Sequence, residues 1–98
     1  MSAQEYYIYM LTNMNNKIIR VGMINDREKK IYENQDQLLN SFIKKYKVNK
    51  LVYYESASDV NNAIEREHEI RKLSRNKKNK LIETMNPGWT NLIFKLIK

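Results

Sequence analysis

The sequence predicts an α+β fold, a three-stranded antiparallel sheet packed with helices, and three observations carry that expectation. Two runs rich in β-forming residues, 6–11 and 17–23, flank an asparagine-rich turn, which favours an antiparallel hairpin. A third such run, 50–55, lies between segments of helical period. The chain has 98 residues, enough for one domain with a small core, expected to span residues 1–98.

The elements follow in order. Tyr6-Tyr7-Ile8-Tyr9-Met10-Leu11 is a strand, with Tyr7, Tyr9 and Leu11 on one face and Tyr6, Ile8 and Met10 on the other. The turn Asn13-Met14-Asn15-Asn16 leads into Lys17 to Met23, where Arg20 and Gly22 share a face. A glycine inside a strand marks either close approach of a ligand or backbone, or simply the strand end. Asn25 and Asp26 can cap a helix over residues 27–33. Residues 35–40 are polar and read as a connection. Phe42, Ile43 and Tyr46 are spaced for a short helix ending near Val48. Lys50 to Glu55 is the third strand. Ser58 is placed to cap a central helix that runs to Leu73 or Ser74. Leu81 to Met85 is helical and stops before Asn86-Pro87-Gly88. Trp89, Leu92, Ile93 and Phe94 form an apolar tail, with Trp89 as a core anchor.

Composition narrows the chemistry. There is no cysteine and one histidine, His68, which excludes disulfides, thiolate zinc sites, cysteine nucleophiles and histidine-rich metal centres. No apolar run approaches the roughly 18 to 20 residues of a membrane span, and the start lacks the pattern of a signal peptide. A cytoplasmic protein without a membrane partner is expected, inside a host cell if the source is viral. The formal net charge of +7 makes nucleic acid the default partner, with an anionic membrane or an acidic protein as the alternative; of the nucleic acids, DNA is the one expected.

Two stretches carry functional weight. On the central helix, Val60, Ala63, Ile64, Ile70 and Ser74 fall on one side at about 100° per residue. Glu67 falls inside that stripe, while Glu65, Arg66 and Glu69 point elsewhere. A carboxylate there needs a metal, a cation or a water-filled cleft to face it, unless it simply reaches water at the helix edge. Beyond the helix come Arg71, Lys72, Arg75, Lys77, Lys78 and Lys80, six cations in ten residues with no acid among them. They read as phosphate-binding together with Lys29; the alternative is a solvated helix end.

The segments YYIYMLTN, RVGMINDREKKIYEN, FIKKYKVNKLVYYE, AIEREHEIRK and MNPGW, in that order, resemble the GIY-YIG endonucleases, most of all their small stand-alone members. The resemblance covers roughly residues 5 to 92. It implies metal-assisted phosphodiester hydrolysis, with Glu67 holding one Mg²⁺ or Mn²⁺. It implies that Tyr9 helps activate water and that Gly22 lets substrate approach the sheet. Three positions depart from the family pattern. Arg20 replaces the second-strand tyrosine, Lys30 the helix arginine that steadies phosphate, and Asn34 a histidine or tyrosine. A lysine lacks the bidentate fork, asparagine is no base at ordinary pH, and Arg20 substitutes a permanent cation for a phenol.

The resulting expectation is a nucleic-acid-binding GIY-YIG-fold protein with weak or lost cleavage, in which a resident metal is not required. An active divalent-metal-dependent DNA endonuclease is the alternative. A third is a phage or mobile-element interaction or inhibitor protein engaging a nucleoprotein or an acidic partner. The departures further predict an Arg20–Glu67 ion pair in the former metal site, against Arg20 pointing to solvent at the sheet edge.

Overall fold

The structure is a computed structural model that describes residues 5–32 and 34–96. Strand β1 (Tyr6–Thr12) lies between β2 (Ile19–Asn25) and β3 (Lys50–Ala57), giving the sheet order β2-β1-β3 with both pairings antiparallel. The hairpin β1–β2 pairs Tyr9 with Gly22 and Leu11 with Arg20. Between Met10 and Leu11 the β1–β3 register slips, so that Met10 faces Tyr53 and Leu11 faces Leu51. Val52 is the extra residue of that bulge. It lets Val52 and Tyr53 serve the same face of the sheet, which strict alternation would forbid.

Each face of the sheet has its own core. Helices α2 (Gln35–Tyr46) and α5 (Ile93–Leu96) cover one face, burying Tyr9, Leu11, Leu38, Phe42, Leu51, Leu92, Ile93 and Leu96 together. Helices α3 (Val60–Lys72) and α4 (Arg75–Met85) cover the other, burying Ile8, Met10, Val21, Val52, Tyr53, Ala63, Ile70 and Ile82. The face assignments expected for β1 therefore hold. No helix among the described residues is long and apolar enough to cross a membrane.

Several boundaries differ from the sequence expectation. The first helix, α1, is only Asp26–Lys29, opened by Asn25 and Glu28 in a reciprocal capping box. The expected end at residue 33 lies outside the described residues. The polar stretch 35–40 is no connection but the first half of α2. Its start is set by Asn34, whose side chain accepts from the Gln37 N–H at 3.0 Å. Polar residues suit that half because only Leu38 in it is fully buried. The central helix is capped by Asp59 rather than Ser58, through the Asn62 N–H. Ser74 caps α4. In the tail, Leu96 is buried while Phe94 is half exposed. Trp89 packs against the α3–α4 core and donates its indole N–H to Glu83 at 3.1 Å.

Candidate active site

The middle of α3 faces the sheet along a line narrower than the expected stripe. Ala63 and Ile70 are fully buried, whereas Val60 and Ile64 are about two-fifths exposed. Glu67 lies between the two buried positions, one turn from each, and its side chain is 21% exposed. The inward carboxylate read from the sequence is thus present. Arg66 points away from that line, as expected, with its side chain 36% exposed. It reaches the edge of β3, where its Nε and Nη2 donate to Glu55 at 2.5 and 3.2 Å. The same carboxylate accepts from the Tyr53 hydroxyl.

Burial, then the Glu55 hydrogen bond and charge, push the Tyr53 phenol up to about 12. Tyr7 is likewise pushed up to about 12, first by burial and then by Asp26. Such phenols hold their protons more tightly folded than unfolded. Their contribution to stability is complete below pH 10 and is lost as pH rises toward about 12. We expect the urea midpoint to be level between pH 8 and 9.5 and to fall at pH 11, and Tyr53→Phe to flatten that fall. An unchanged midpoint at pH 11 would contradict the linkage.

What faces Glu67 is an arginine, but not Arg20. The Arg71 guanidinium, one turn along the same helix, lies 3.3 Å from Glu67 Oε1. The same Nη2 donates to the Val21 carbonyl at 3.0 Å on the open edge of β2. Arg20 alternates with Ile19 and Val21, which serve the α3–α4 core. It therefore projects to the opposite face beside Leu11 and is exposed. The expected Arg20–Glu67 pair does not form, because strand alternation turns the two side chains to opposite sides of the sheet.

Tyr9 projects to the α2 face and its ring lies directly over Gly22. A Cβ at Gly22 would stand 2.5 Å from the Tyr9 Cε1 and hydroxyl oxygen. The ring packs on Phe42 with centroids 4.9 Å apart, and its hydroxyl hydrogen-bonds the Tyr46 hydroxyl at 3.0 Å. Burial first, then Tyr46, and last the charges of Glu28 and Glu67 hold the Tyr9 phenol well above its ordinary value. Tyr9 is a neutral phenol at any physiological pH. It can donate a hydrogen bond but cannot serve as an ionised base. Beneath it is a cleft of about 120 Å³ whose lining includes Glu28, Tyr32, Ser41, Lys45 and Tyr46. The sequence places Tyr46 on a short helix with Phe42 and Ile43 but not at the site, because its contact with Tyr9 joins residues 37 positions apart. Its spacing four residues after Phe42 sets the two rings on one face of that helix.

The remaining departures have other employment. Asn34 caps α2. Lys30 is exposed at the C-terminal end of α1. Lys29 leans over the Tyr7 ring, 4.3 Å from its centroid, with Nζ 3.3 Å from the Tyr7 hydroxyl. Half of the basic run is also engaged within the protein. Arg75 donates to the Lys17 carbonyl at 2.7 Å and to the Asn16 carbonyl, tying α4 to the hairpin turn. Lys78 donates to the Arg71 carbonyl at the end of α3, at 3.1 Å. Lys72, Lys77 and Lys80 are exposed.

The α+β domain thus has a short antiparallel sheet, a tyrosine of its first strand lying over a glycine of its second, and an inward glutamate on the helix behind the edge. The sequence matches the family model described as the GIY-YIG catalytic domain over residues 5–81, and the chain belongs to the GIY-YIG family. Neither the curated proteins nor the solved structures yielded a match.

Nucleases of this family typically depend on a divalent metal. By the resemblance a single glutamate would hold it, and Glu67 stands at that position. The inward carboxylate of α3 already faces a guanidinium whose positive charge opposes a cation there, so the fit is poor.

Proposed function

We propose that this chain is a nucleic-acid-binding GIY-YIG domain whose phosphodiester cleavage is weak or lost. The observation that carries this is the Glu67–Arg71 contact at 3.3 Å, with Arg71 anchored at the same time on the Val21 carbonyl. The site's acid is neutralised from within, so it needs no cation to offset its charge. Three further features support the loss. Asn34 is committed to a helix cap. Arg20 sits on the sheet face away from Glu67. Tyr9 keeps its proton. The net charge of +7 supplies the attraction for a polyanion, which is sequence-independent and falls with salt.

An active nuclease remains the second reading, and one observation favours it. Arg71 is 57% exposed, and an exposed ion pair of this spacing contributes only about 0.3–0.5 kcal/mol. A phosphate could therefore draw the guanidinium off Glu67 and use it as an electrostatic clamp on the substrate.

A cleavage assay with Mn²⁺ on single-stranded and duplex DNA separates the two. The proteins compared are the natural chain, Glu67→Ala, and the triple variant Arg20→Tyr, Lys30→Arg, Asn34→His. The expected result is no cleavage by the natural chain or by the triple variant, and recovery only when Arg71→Ala is added to the triple variant and frees Glu67. Cleavage by the natural chain that Glu67→Ala abolishes would make the protein a working endonuclease and end the proposal.

A further inference from the structure

The surface that carries the strand is open to inference from how the cations are used, on the premise of nucleic-acid binding proposed above. The sequence points to the α3–α4 run, yet Arg71, Arg75 and Lys78 there donate to backbone carbonyls of the protein itself. The C-terminal end of α2 is different. Lys44, Lys45 and Lys47 are all exposed. None of their ammonium groups donates a hydrogen bond or forms an ion pair among the described residues, and the nearest partner is the Tyr46 ring, 5.3 Å from Lys45 Nζ. Cations also suit a helix C-terminus through its dipole. Lys44 and Lys45 lie in the last turn of α2 and fill that role without bonding a carbonyl, which leaves their ammonium groups open to a phosphate as well.

These lysines border two open grooves that meet at Lys44. One, of about 720 Å³, is lined by Ile31, Ser41, Lys44 and Lys45 among others. The second, of about 660 Å³, is lined by Met14, Ile43, Lys44 and Lys47 among others. Among the described residues neither lining contains an Asp or Glu, whereas the groove on the outer face of α3 carries Glu65 and Glu69. The first groove shares Ile31, Tyr32, Ser41 and Lys45 with the cleft beneath Tyr9. A track therefore leads from the family's site across α2. Ile31 and Met14 stand 72% and 73% exposed along it.

We propose that this track binds one unpaired strand of nucleic acid, with phosphates on Lys44, Lys45 and Lys47 and base faces on Ile31 and Met14. The pairing of free cations with exposed apolar side chains decides for a single strand. A duplex offers phosphates to the lysines but keeps its base faces stacked inside, so Ile31 and Met14 would gain nothing from it. An unpaired strand offers both, and apolar contact with base faces tolerates any sequence.

The test is fluorescence anisotropy with a labelled oligonucleotide, single-stranded and as duplex, over a salt series, with polyglutamate as competitor. Two variants remove the same number of charges: Lys44→Gln, Lys45→Gln, Lys47→Gln on α2, and Lys72→Gln, Lys77→Gln, Lys80→Gln on the basic run. All six positions are exposed, so both variants are expected to fold.

Single strand is expected to bind tighter than duplex. The α2 variant should bind at least tenfold more weakly and lose about 2 from the slope of log K against log salt, about 0.7 for each phosphate contact. The α4 variant should change affinity by less than about threefold, as expected for remote charges that make no phosphate contact. Ile31→Ser with Met14→Ser should weaken single-strand binding alone, with an unchanged salt slope.

Equal losses in the two lysine variants would mean that net charge alone is at work, and would overturn the track. Equal affinity for duplex, or displacement by polyglutamate as effective as by unlabelled strand, would overturn the single-strand assignment. A natural chain that binds no oligonucleotide would instead refute the binding function on which the track rests.

Discussion

Gly22→Ala is expected to destabilise the protein by about 2–3 kcal/mol, the cost of forcing a methyl group into a filled core. For a domain of this size that is a fall in Tm of roughly 10–20 °C. The cause is space, not backbone freedom, because Gly22 is not in the left-handed region. The added Cβ would stand 2.5 Å from the Tyr9 ring. A flexible side chain would swing aside, but Tyr9 is 2% exposed and held by Phe42 and the Tyr46 hydroxyl. To make room the ring must leave its hydrogen bond and open the core beneath α2. Thermal unfolding of Gly22→Ala in the natural and Tyr9→Leu backgrounds checks the cause. With the ring gone, the alanine should cost less than about 1 kcal/mol, which is the coupling expected of touching residues. An undiminished cost would mean that something other than Tyr9 rejects the side chain.

The second large effect is at Asn86. This side chain is 5% exposed and closes the end of α4 against the outer edge of β3. Its Nδ2 donates to the Val52 carbonyl at 3.0 Å and to the Thr90 carbonyl at 2.8 Å. Its Oδ1 accepts from the Thr90 N–H and hydroxyl, both at 3.1 Å. Asn86→Ala strands the Val52 carbonyl beside the bulge and unties the loop that carries Trp89. Leaving buried polar groups unpaired at this density is expected to cost about 2–4 kcal/mol. Asn86→Asp should cost as much at neutral pH, because a carboxylate has no proton for either carbonyl. Urea unfolding of both variants measures this. An aspartate variant as stable as the natural protein would show that the Nδ2 bonds contribute nothing.

Much of the fold is legible in the sequence because it depends on local signals. The β-rich runs, the asparagine turn and the alternation of Tyr7, Tyr9 and Leu11 against Ile8 and Met10 are visible without any tertiary knowledge. So is the inward position of Glu67, which follows from helical period alone. Only the second half of α2 is legible, because the first half is polar and solvated and periodicity has nothing to report until Phe42. Its signal was a cap, Asn34, at a position where the family pattern directs attention to catalysis instead.

What only the tertiary structure decided is which groups meet. The sequence shows that Glu67 needs a cationic partner, and alternation determines that Arg20 shares a face with Gly22. It cannot show that this face is the one turned away from α3, because that depends on which side of the sheet the helix packs. Packing on the Val21 side places Arg71 against both Glu67 and the open edge of β2. In the same way, the glycine in β2 is readable as a position of close approach, but the approaching group, the Tyr9 ring, is set by cross-strand register. Charge follows the same division. Composition determines that the molecule attracts polyanions, while backbone carbonyls within reach decide which cations are already occupied, since a buried or edge carbonyl recruits whatever donor the fold brings to it.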